Sequence, residues 1–143
     1  MPRTRKSWRQ KLDAAKAKPD LPRIFTCYKT GKVFVVPSPA EIEPIIRAVP
    51  RGEVITMQQI SRRLADAHKA DLACPITTGL FCRLIAEAAE ETGEPDGLPW
   101  WRVLKTGNEL NMKYPGGGGL QRRRLEDEGH RVKAMGKKLV VSD

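Results

Sequence analysis

The chain has 143 residues, 40% of them hydrophobic and 30% charged, so we expect one domain with a modest core. Its formal net charge is +9, and the excess lies in residues 1–18 and 121–138, because residues 19–120 hold twelve basic and twelve acidic side chains. The longest apolar run is far below the roughly 18 residues of a membrane span, and three cysteines without a C-x-x-C pair do not make a disulfide framework. These features argue against a membrane or secreted protein. They favour a cytoplasmic protein whose basic ends contact a polyanion.

The first quarter of the chain contains signals for a helix and a hairpin. Apolar residues recur at i, i+4 and i+7 in residues 7–18, which predicts a short basic helix. Residues 24–36 are rich in β-forming residues around a central Thr-Gly-Lys, which predicts a turn or hairpin. We therefore expect a basic N-terminal segment, residues 1–37, followed by one domain, residues 38–143.

A helix is predicted after Ser38, which begins a capping box of the form S-x-x-E. Proline follows Ser38, at the first helical position, where the backbone amide would have no hydrogen-bond partner within the helix. Pro44 fits a helix interior poorly, so a start as late as Glu43 stays open as the alternative to the capping box.

Two further helices are predicted in the middle of the chain. Thr56 begins a second capping box, T-x-x-Q, and apolar spacing continues that helix to about His68. After a short break, Thr77 or Thr78 is expected to cap a helix that runs through Glu91. Two short helices joined in this way indicate a helix-turn-helix.

The C-terminal third adds strands and one more helix. Residues 101–104 are predicted to form a strand, and residues 120–128 a helix with Gly129 just beyond its end. Residues 131–134 and 138–141 are expected to pair as the hairpin called a wing. The predicted fold is α+β, a mainly helical winged helix-turn-helix domain with an N-terminal basic extension and a C-terminal β-hairpin.

Four motifs in the second half of the chain carry a family resemblance. They are VPRGEVITMQQIS (residues 49–61), PWWRV (99–103), YPGG (114–117) and LEDEG (125–129). On these motifs and their order, the chain resembles the DNA-binding domain of the O6-alkylguanine-DNA alkyltransferases (methylated-DNA–protein cysteine methyltransferases) and the alkyltransferase-like proteins. The resemblance implies that the partner is double-stranded DNA, with alkylated guanine as a candidate lesion.

The chain departs from the family at the positions that perform alkyl transfer. The family motif P-C-H-R-V supplies the nucleophilic cysteine and a histidine that relays its proton; here these positions are Trp100 and Trp101, while the matching Glu128 remains. A tryptophan also replaces the cysteine in the alkyltransferase-like proteins, which keep the histidine and flag alkylated guanine for other repair factors. The family tyrosine and arginine that turn the nucleotide out of the stack fall on Met57 and Ile76, so base flipping is not expected to follow the family's pattern.

Two groups of residues are candidates for DNA contact. The base-pocket candidates are Trp100, Trp101, Arg102, Tyr114, Pro115, Gly116 and Met57. The groove and backbone candidates are Thr56, Ile76, Thr77, Thr78, Arg83, Arg122 and Arg123. The two indoles would either stack on a base, which contributes about 1–3 kcal/mol, or fill the volume of a lost active site. No catalytic residue, metal or cofactor is expected.

The interpretation is a non-enzymatic DNA-binding protein of alkyltransferase-like type, expected to be a monomer with DNA-repair proteins among its partners. Two alternatives stay open. The chain could be an alkyl acceptor that uses Cys74 or Cys82. It could also be an RNA-binding or protein-interaction module that reuses the fold.

Overall fold

The computed structural model describes residues 6–93 and 98–142 and has an α+β architecture in that part of the chain. Its α-helices are α1 (Trp8–Lys16), α2 (Pro39–Arg47), α3 (Met57–Ala67), α4 (Pro75–Glu91) and α5 (Gly119–Asp127). Its strands are β1 (Arg23–Thr26), β2 (Val33–Val36), β3 (Ile55–Thr56), β4 (Leu72–Ala73), β5 (Val103–Leu104), β6 (Val132–Met135) and β7 (Lys138–Val141). A 3-10 helix, Trp100–Arg102, precedes β5. The predicted fold class is confirmed.

Helix α1 confirms the predicted basic helix and packs against α4. Leu12 and Ala15 are buried in the core, which explains the apolar spacing in its sequence. The Glu91 carboxylate near the end of α4 accepts hydrogen bonds from the first two amides of α1, those of Trp8 and Arg9, each at 3.0 Å. An anion at a helix N-terminus satisfies amides that have no partner within the helix. The two helices are thus joined by both apolar and polar contacts.

A three-stranded sheet is built from the predicted hairpin and a strand beyond it. Strands β1 and β2 are antiparallel, and β4 pairs in parallel with β2 on its other side. Val35 and Ala73, which are partners in that register, are both buried and face the core. Because side chains alternate between faces along a strand, their neighbours point away from the core.

Helix α2 begins earlier than Pro44 suggested. Ser38 and Glu41 form the predicted capping box, and Pro39 occupies the first helical position, so the start after Ser38 is confirmed and the alternative start at Glu43 was wrong. Ile42 and Ile46 on this helix are fully buried. Their burial, together with the cap, outweighs the hydrogen bond that a proline removes from a helix interior.

The two helices of the predicted helix-turn-helix are α3 and α4, with β4 in the break between them. Thr56 caps α3 in a reciprocal capping box with Gln59, as predicted. Helix α4 starts before the expected threonines: its N-cap is Cys74, which makes no side-chain capping bond, and Pro75 is its first residue. Proline at this position fixes a helical φ and needs no donor.

The C-terminal part follows the prediction with one shift. Residues 100–102 form the 3-10 helix, so the expected strand over 101–104 is shortened to β5, which pairs in parallel with β3. Helix α5 ends before Gly129, whose φ of +93° favours glycine. Strands β6 and β7 form the predicted wing around a turn that includes Gly136. No helix within the described ranges is long and apolar enough to cross a membrane.

Candidate nucleic-acid interface

Three aromatic side chains meet at the centre of the predicted base pocket and are called here the aromatic cluster: Trp100, Trp101 and Tyr114. The Trp100 ring lies edge-to-face against Trp101, with centroids 6.0 Å apart, and edge-to-face against Tyr114, with centroids 5.8 Å apart. This is the geometry that aromatic pairs prefer. The three side chains are only 1%, 6% and 3% exposed. In this conformation no ring presents a free face to a nucleotide.

Polar groups fix the Trp100 indole in place. Its N–H donates to the Glu90 carboxylate at 2.9 Å, and Arg124 on α5 pairs with the same carboxylate. The Arg124 guanidinium also lies over both indoles, 5.5 Å from the Trp100 centroid and 5.0 Å from that of Trp101. Burial opposes ionisation of Glu90, but the hydrogen bonds from Arg124 and Trp100 outweigh it and hold the pKa of Glu90 below its ordinary value.

The carboxylate that would stand behind a relay histidine is already engaged. Glu128 is nearly buried and accepts hydrogen bonds from Arg102, whose Nε lies 2.9 Å away. Arg102 also donates to the Val49 carbonyl at 2.7 Å. Burial raises the pKa of Glu128, yet the Arg102 hydrogen bonds outweigh that effect and lower it overall. The Trp101 indole N–H lies outside hydrogen-bonding geometry but is close enough to contribute to the lowering.

A glutamine on α5 ties the 3-10 helix to the following loop. Gln121 is fully buried and donates from Nε2 to the carbonyls of Trp101 and Val103, at 3.1 and 2.9 Å. Its Oε1 accepts from the Asn111 amide at 3.0 Å. The sequence analysis did not single out this residue. The available signal was an amide four residues before Leu125, on the buried stripe of a predicted helix.

The remaining wall of the predicted pocket is also filled. The Tyr114 hydroxyl contacts the Met57 sulfur at 4.0 Å, on the side where the family has a second tyrosine. Cys82 is buried behind them, and its burial raises the thiol pKa to about 12. Gly116 cannot be replaced by a larger residue here, because its φ is +81° and a Cβ would lie 2.4 Å from that of Leu120. Pro115, between Tyr114 and Gly116, is buried.

An open groove runs along the exposed face of α4 and is called here the α4 groove. It consists of three adjoining depressions of about 360, 390 and 610 Å³, which share Pro75, Gly79 and Asn111 at one junction and Thr106 and Glu109 at the other. It extends from α4 past the loop that follows β5 to the wing. The basic side chains that line it are Arg83, Lys105, Lys113 and Lys138. Glu109 is the single acid among the described lining residues.

The comparison with known proteins identifies the family. Residues 39–130 match the DNA-binding domain of the 6-O-methylguanine DNA methyltransferases. The chain belongs to this family. No curated protein matches it.

Two solved structures have the same fold as this member of the methyltransferase DNA-binding family. One is Atl1 of S. pombe in complex with damaged DNA containing O6-carboxymethylguanine, with a TM-score of 0.54; the other is S. pombe ATL in complex with DNA, with a TM-score of 0.55. Each is 19% identical, and each comparison covers 73% of this chain and 87% of the other. The predicted resemblance to the alkyltransferase-like proteins is confirmed at the level of the fold.

Four of the candidate groove residues lie on α4, and their side chains differ in how far they are exposed to solvent. Ile76, predicted to lie near the family's arginine position, is 82% exposed at the mouth of the α4 groove. Arg83 lines the same groove and lies over the Trp8 ring at 5.4 Å. Thr77 is half-buried and donates to the Cys74 sulfur, whereas Thr78 is fully buried and donates to the Cys74 carbonyl. Thr78 therefore has no surface to offer DNA in this conformation.

The other groove candidates lie away from the described lining of the α4 groove. Thr56 uses its hydroxyl to cap α3. On α5, Arg122 pairs with Glu126 at 3.4 Å, while Arg123 is exposed. Their contact with DNA stays a prediction, as does the contact of the buried aromatic cluster with a base.

Proposed function

We propose that this protein binds duplex DNA along the α4 groove, recognises guanine alkylated at O6 and leaves the alkyl group on the base. The observation that carries the proposal is the replacement of the family's nucleophile and relay by Trp100 and Trp101 in a chain that otherwise keeps the family fold. An indole carries no thiolate, so it cannot accept an alkyl group by displacement.

Neither cysteine alternative fits the site. Cys82 is buried, and with a thiol pKa near 12 almost none of it is thiolate at neutral pH. Cys74 lies at the start of α4, and its thiol pKa is lowered because hydrogen bonds from Thr77 and nearby amides outweigh burial. The Trp100 indole, at the position of the family nucleophile, is held by Glu90 near the opposite end of α4 from Cys74, and Thr77 already donates to the Cys74 sulfur. We therefore favour binding without transfer.

Duplex DNA is favoured over RNA by the shape and charge of the α4 groove. A helix flanked by a wing fits the wide major groove of B-form DNA or a widened minor groove, whereas the deep major groove of an RNA duplex excludes a helix. Lys105, Lys113 and Lys138 are exposed along this path and can neutralise phosphates. Two apolar side chains, Ile76 and Leu80, protrude at its mouth with 82% and 53% exposure, which suits contact with bases rather than with water.

Lesion recognition, if it follows S. pombe Atl1 with its O6-carboxymethylguanine DNA, requires the aromatic cluster to open. Trp100, Trp101 and Tyr114 would have to rearrange before an extruded guanine could enter. A change in tryptophan fluorescence that is larger with alkylated than with unmodified DNA would report this opening, and Trp8→Phe removes the signal of α1.

The decisive experiment compares matched duplexes that differ only in one O6-methylguanine. We expect tighter binding to the alkylated duplex and an unchanged intact mass of the protein after incubation. Equal affinity for both duplexes would contradict lesion recognition, and a gain of one methyl group on any cysteine would contradict the non-enzymatic assignment. Competition with single strands and RNA at fixed salt separates duplex DNA from the other partners.

We further propose that the protein acts in the cytoplasm, as a monomer. The three free thiols, Cys27, Cys74 and Cys82, are typical of a reducing compartment.

A further inference from the structure

The outer face of the N-terminal sheet carries a row of three apolar side chains, of which Phe25 and Leu72 are exposed and Phe34 is half-buried. Phe25 on β1 pairs in register with Phe34 on β2, which in turn pairs with Leu72 on β4. Residues opposite each other share a face, and the alternate positions Val35 and Ala73 are buried, so this row points away from the core. The two phenyl rings stack with centroids 5.4 Å apart and an interplanar angle of 10°. We call Phe25, Phe34 and Leu72, with Tyr28 in the adjoining turn, the sheet platform.

The sheet platform is open and surrounded by positive charge. Phe25 and Leu72 are each 42% exposed, and Tyr28 is 89% exposed. The Arg23 guanidinium lies 6.0 Å from the Phe25 centroid, and the Lys29 ammonium lies 5.9 Å from that of Tyr28.

Two further charged residues near the sheet platform add to its positive character. Lys32 in the same hairpin is exposed. The acid at the neighbouring end of the sheet, Asp71, is engaged by the Val33 amide, which donates to it at 2.8 Å. The hairpin thus places a cation beside each of two exposed rings, Phe25 and Tyr28.

We propose that the sheet platform binds single-stranded nucleic acid by stacking about two unpaired bases. Every base has a π-face, so an aromatic surface accepts single strands with little sequence preference, and guanidinium planes stack on bases as well. Arg23, Lys29 and Lys32 supply the charge that a phosphate backbone needs. A duplex cannot use the platform, because its bases are already paired and stacked. An apolar protein segment would gain nothing from the cations.

This inference goes beyond the proposed binding of duplex DNA and does not depend on any lesion. The platform is nevertheless next to the α4 groove along the chain, since β4 ends at Ala73 and α4 begins at Pro75. A strand that leaves a duplex held in the α4 groove would find the platform at the N-terminal end of the same helix.

The test uses the full-length chain and two labelled probes, a 12-nucleotide oligothymidine and an unmodified duplex. Phe25→Leu combined with Tyr28→Leu keeps apolar area and removes the rings. We expect its affinity for the single strand to fall at least about fivefold for each stacked ring lost, while its affinity for the duplex is unchanged. Ile24→Ala is the matched control, because Ile24 is exposed on the same strand and its side chain points to the other face.

Three outcomes would overturn the proposal. They are an unchanged affinity of the leucine variant for oligothymidine, an equal loss for both probes, and an equal loss in the Ile24→Ala control. The first of these outcomes would indicate that the surface recognises apolar area rather than aromatic rings, as a binding site for an apolar protein segment would.

A measurement on the unmodified protein guards against a variant that fails to fold. Photo-crosslinking with an oligonucleotide that contains 5-iodouracil, followed by peptide mapping, should place adducts within residues 23–34. Adducts confined to α4 or the wing would contradict the proposal.

Discussion

At the scale of single residues, Trp100 and Trp101 decide what chemistry the fold can perform. Replacing Trp100 with cysteine restores a thiol at the family's acceptor position, but with an ordinary pKa near 8.5 only a few per cent of it is thiolate at neutral pH. Trp101 still occupies the relay position, and Glu128 is held by Arg102. We predict no methyl transfer from O6-methylguanine DNA to Trp100→Cys, measured by intact mass.

The double variant Trp100→Cys, Trp101→His rebuilds the order of cysteine, histidine and glutamate, and we expect slow transfer at most. Two buried indoles are lost, which destabilises the fold by several kcal/mol, on the order of 3–5 for each large aromatic residue truncated, so a melting curve must accompany the assay. Met57 and Ile76 remain at the positions predicted for the family residues that extrude the nucleotide. Rapid transfer by the single variant would show that Trp101 does not occupy the relay position.

Gln121 is the residue whose side chain does most to join separate parts of the site. Gln121→Leu has a similar volume but leaves the carbonyls of Trp101 and Val103 and the amide of Asn111 without their partner. A buried polar group left unsatisfied costs about 1–3 kcal/mol, so we predict a loss of roughly 2–4 kcal/mol in the free energy of unfolding, measured with urea. Gln58→Leu, at an exposed position of α3, is the control and should change stability by less than about 0.5 kcal/mol.

At the scale of secondary-structure elements, the sequence predicted best where a local interaction fixes the boundary. The capping boxes at Ser38 and Thr56 set the starts of α2 and α3 through hydrogen bonds within four residues. Helix α4 was placed three or four residues late because its N-cap, Cys74, makes no side-chain bond that a motif could reveal. Its first residue, Pro75, was the usable signal.

The boundary of the 3-10 helix and the packing of the site depend on contacts that are distant in sequence. The sequence predicted a strand at residues 101–104, yet the preceding Trp100 is anchored by Glu90 on α4 and covered by Arg124 on α5. These partners become neighbours only when α4 and α5 dock. For the same reason motif spacing could identify the acceptor position but not the closure of the aromatic cluster or the engagement of Glu128 by Arg102.

The loop between β5 and α5 holds a charge that opposes DNA binding. Glu109 pairs with Lys105 at 3.6 Å and with Lys138 at 3.9 Å, in the middle of the α4 groove. Glu109→Gln removes the competing charge and frees both lysines for phosphates. We predict tighter duplex binding by about three- to tenfold at low salt, and a log–log salt slope steeper by about 0.9 for each phosphate gained.

Glu53→Gln is the matched control for Glu109→Gln, because Glu53 is an exposed acid that is not among the described lining residues of the α4 groove. It makes the same change in net charge. If both variants bind DNA equally more tightly, total charge rather than the position of Glu109 determines the effect.

At the scale of the whole molecule, the charge distribution and the fold are linked through α1. The net charge of +6 in residues 1–18 would be a detachable tail if that segment did not fold, but Leu12 and Ala15 are buried against the core and Glu91 holds the first amides of the helix. Removing residues 1–18 would therefore expose core as well as remove charge. Any test of the basic N-terminus must spare α1.

Removing residues 1–5 meets that requirement, since it deletes Arg3 and Arg5 and leaves every residue of α1 in place. If the full chain engages about five phosphates, its log–log salt slope for duplex DNA is about −4 to −5, because each neutralised phosphate contributes about −0.9. We predict a slope shallower by about 1–2 in the shortened chain, with the same preference between alkylated and unmodified duplexes and the same melting temperature. Fluorescence anisotropy measurements of the affinity over about a fourfold range of salt, from roughly 50 to 200 mM, give both slopes. A slope near zero for the full chain would contradict electrostatic binding altogether, and equal slopes would show that these two arginines do not reach phosphates.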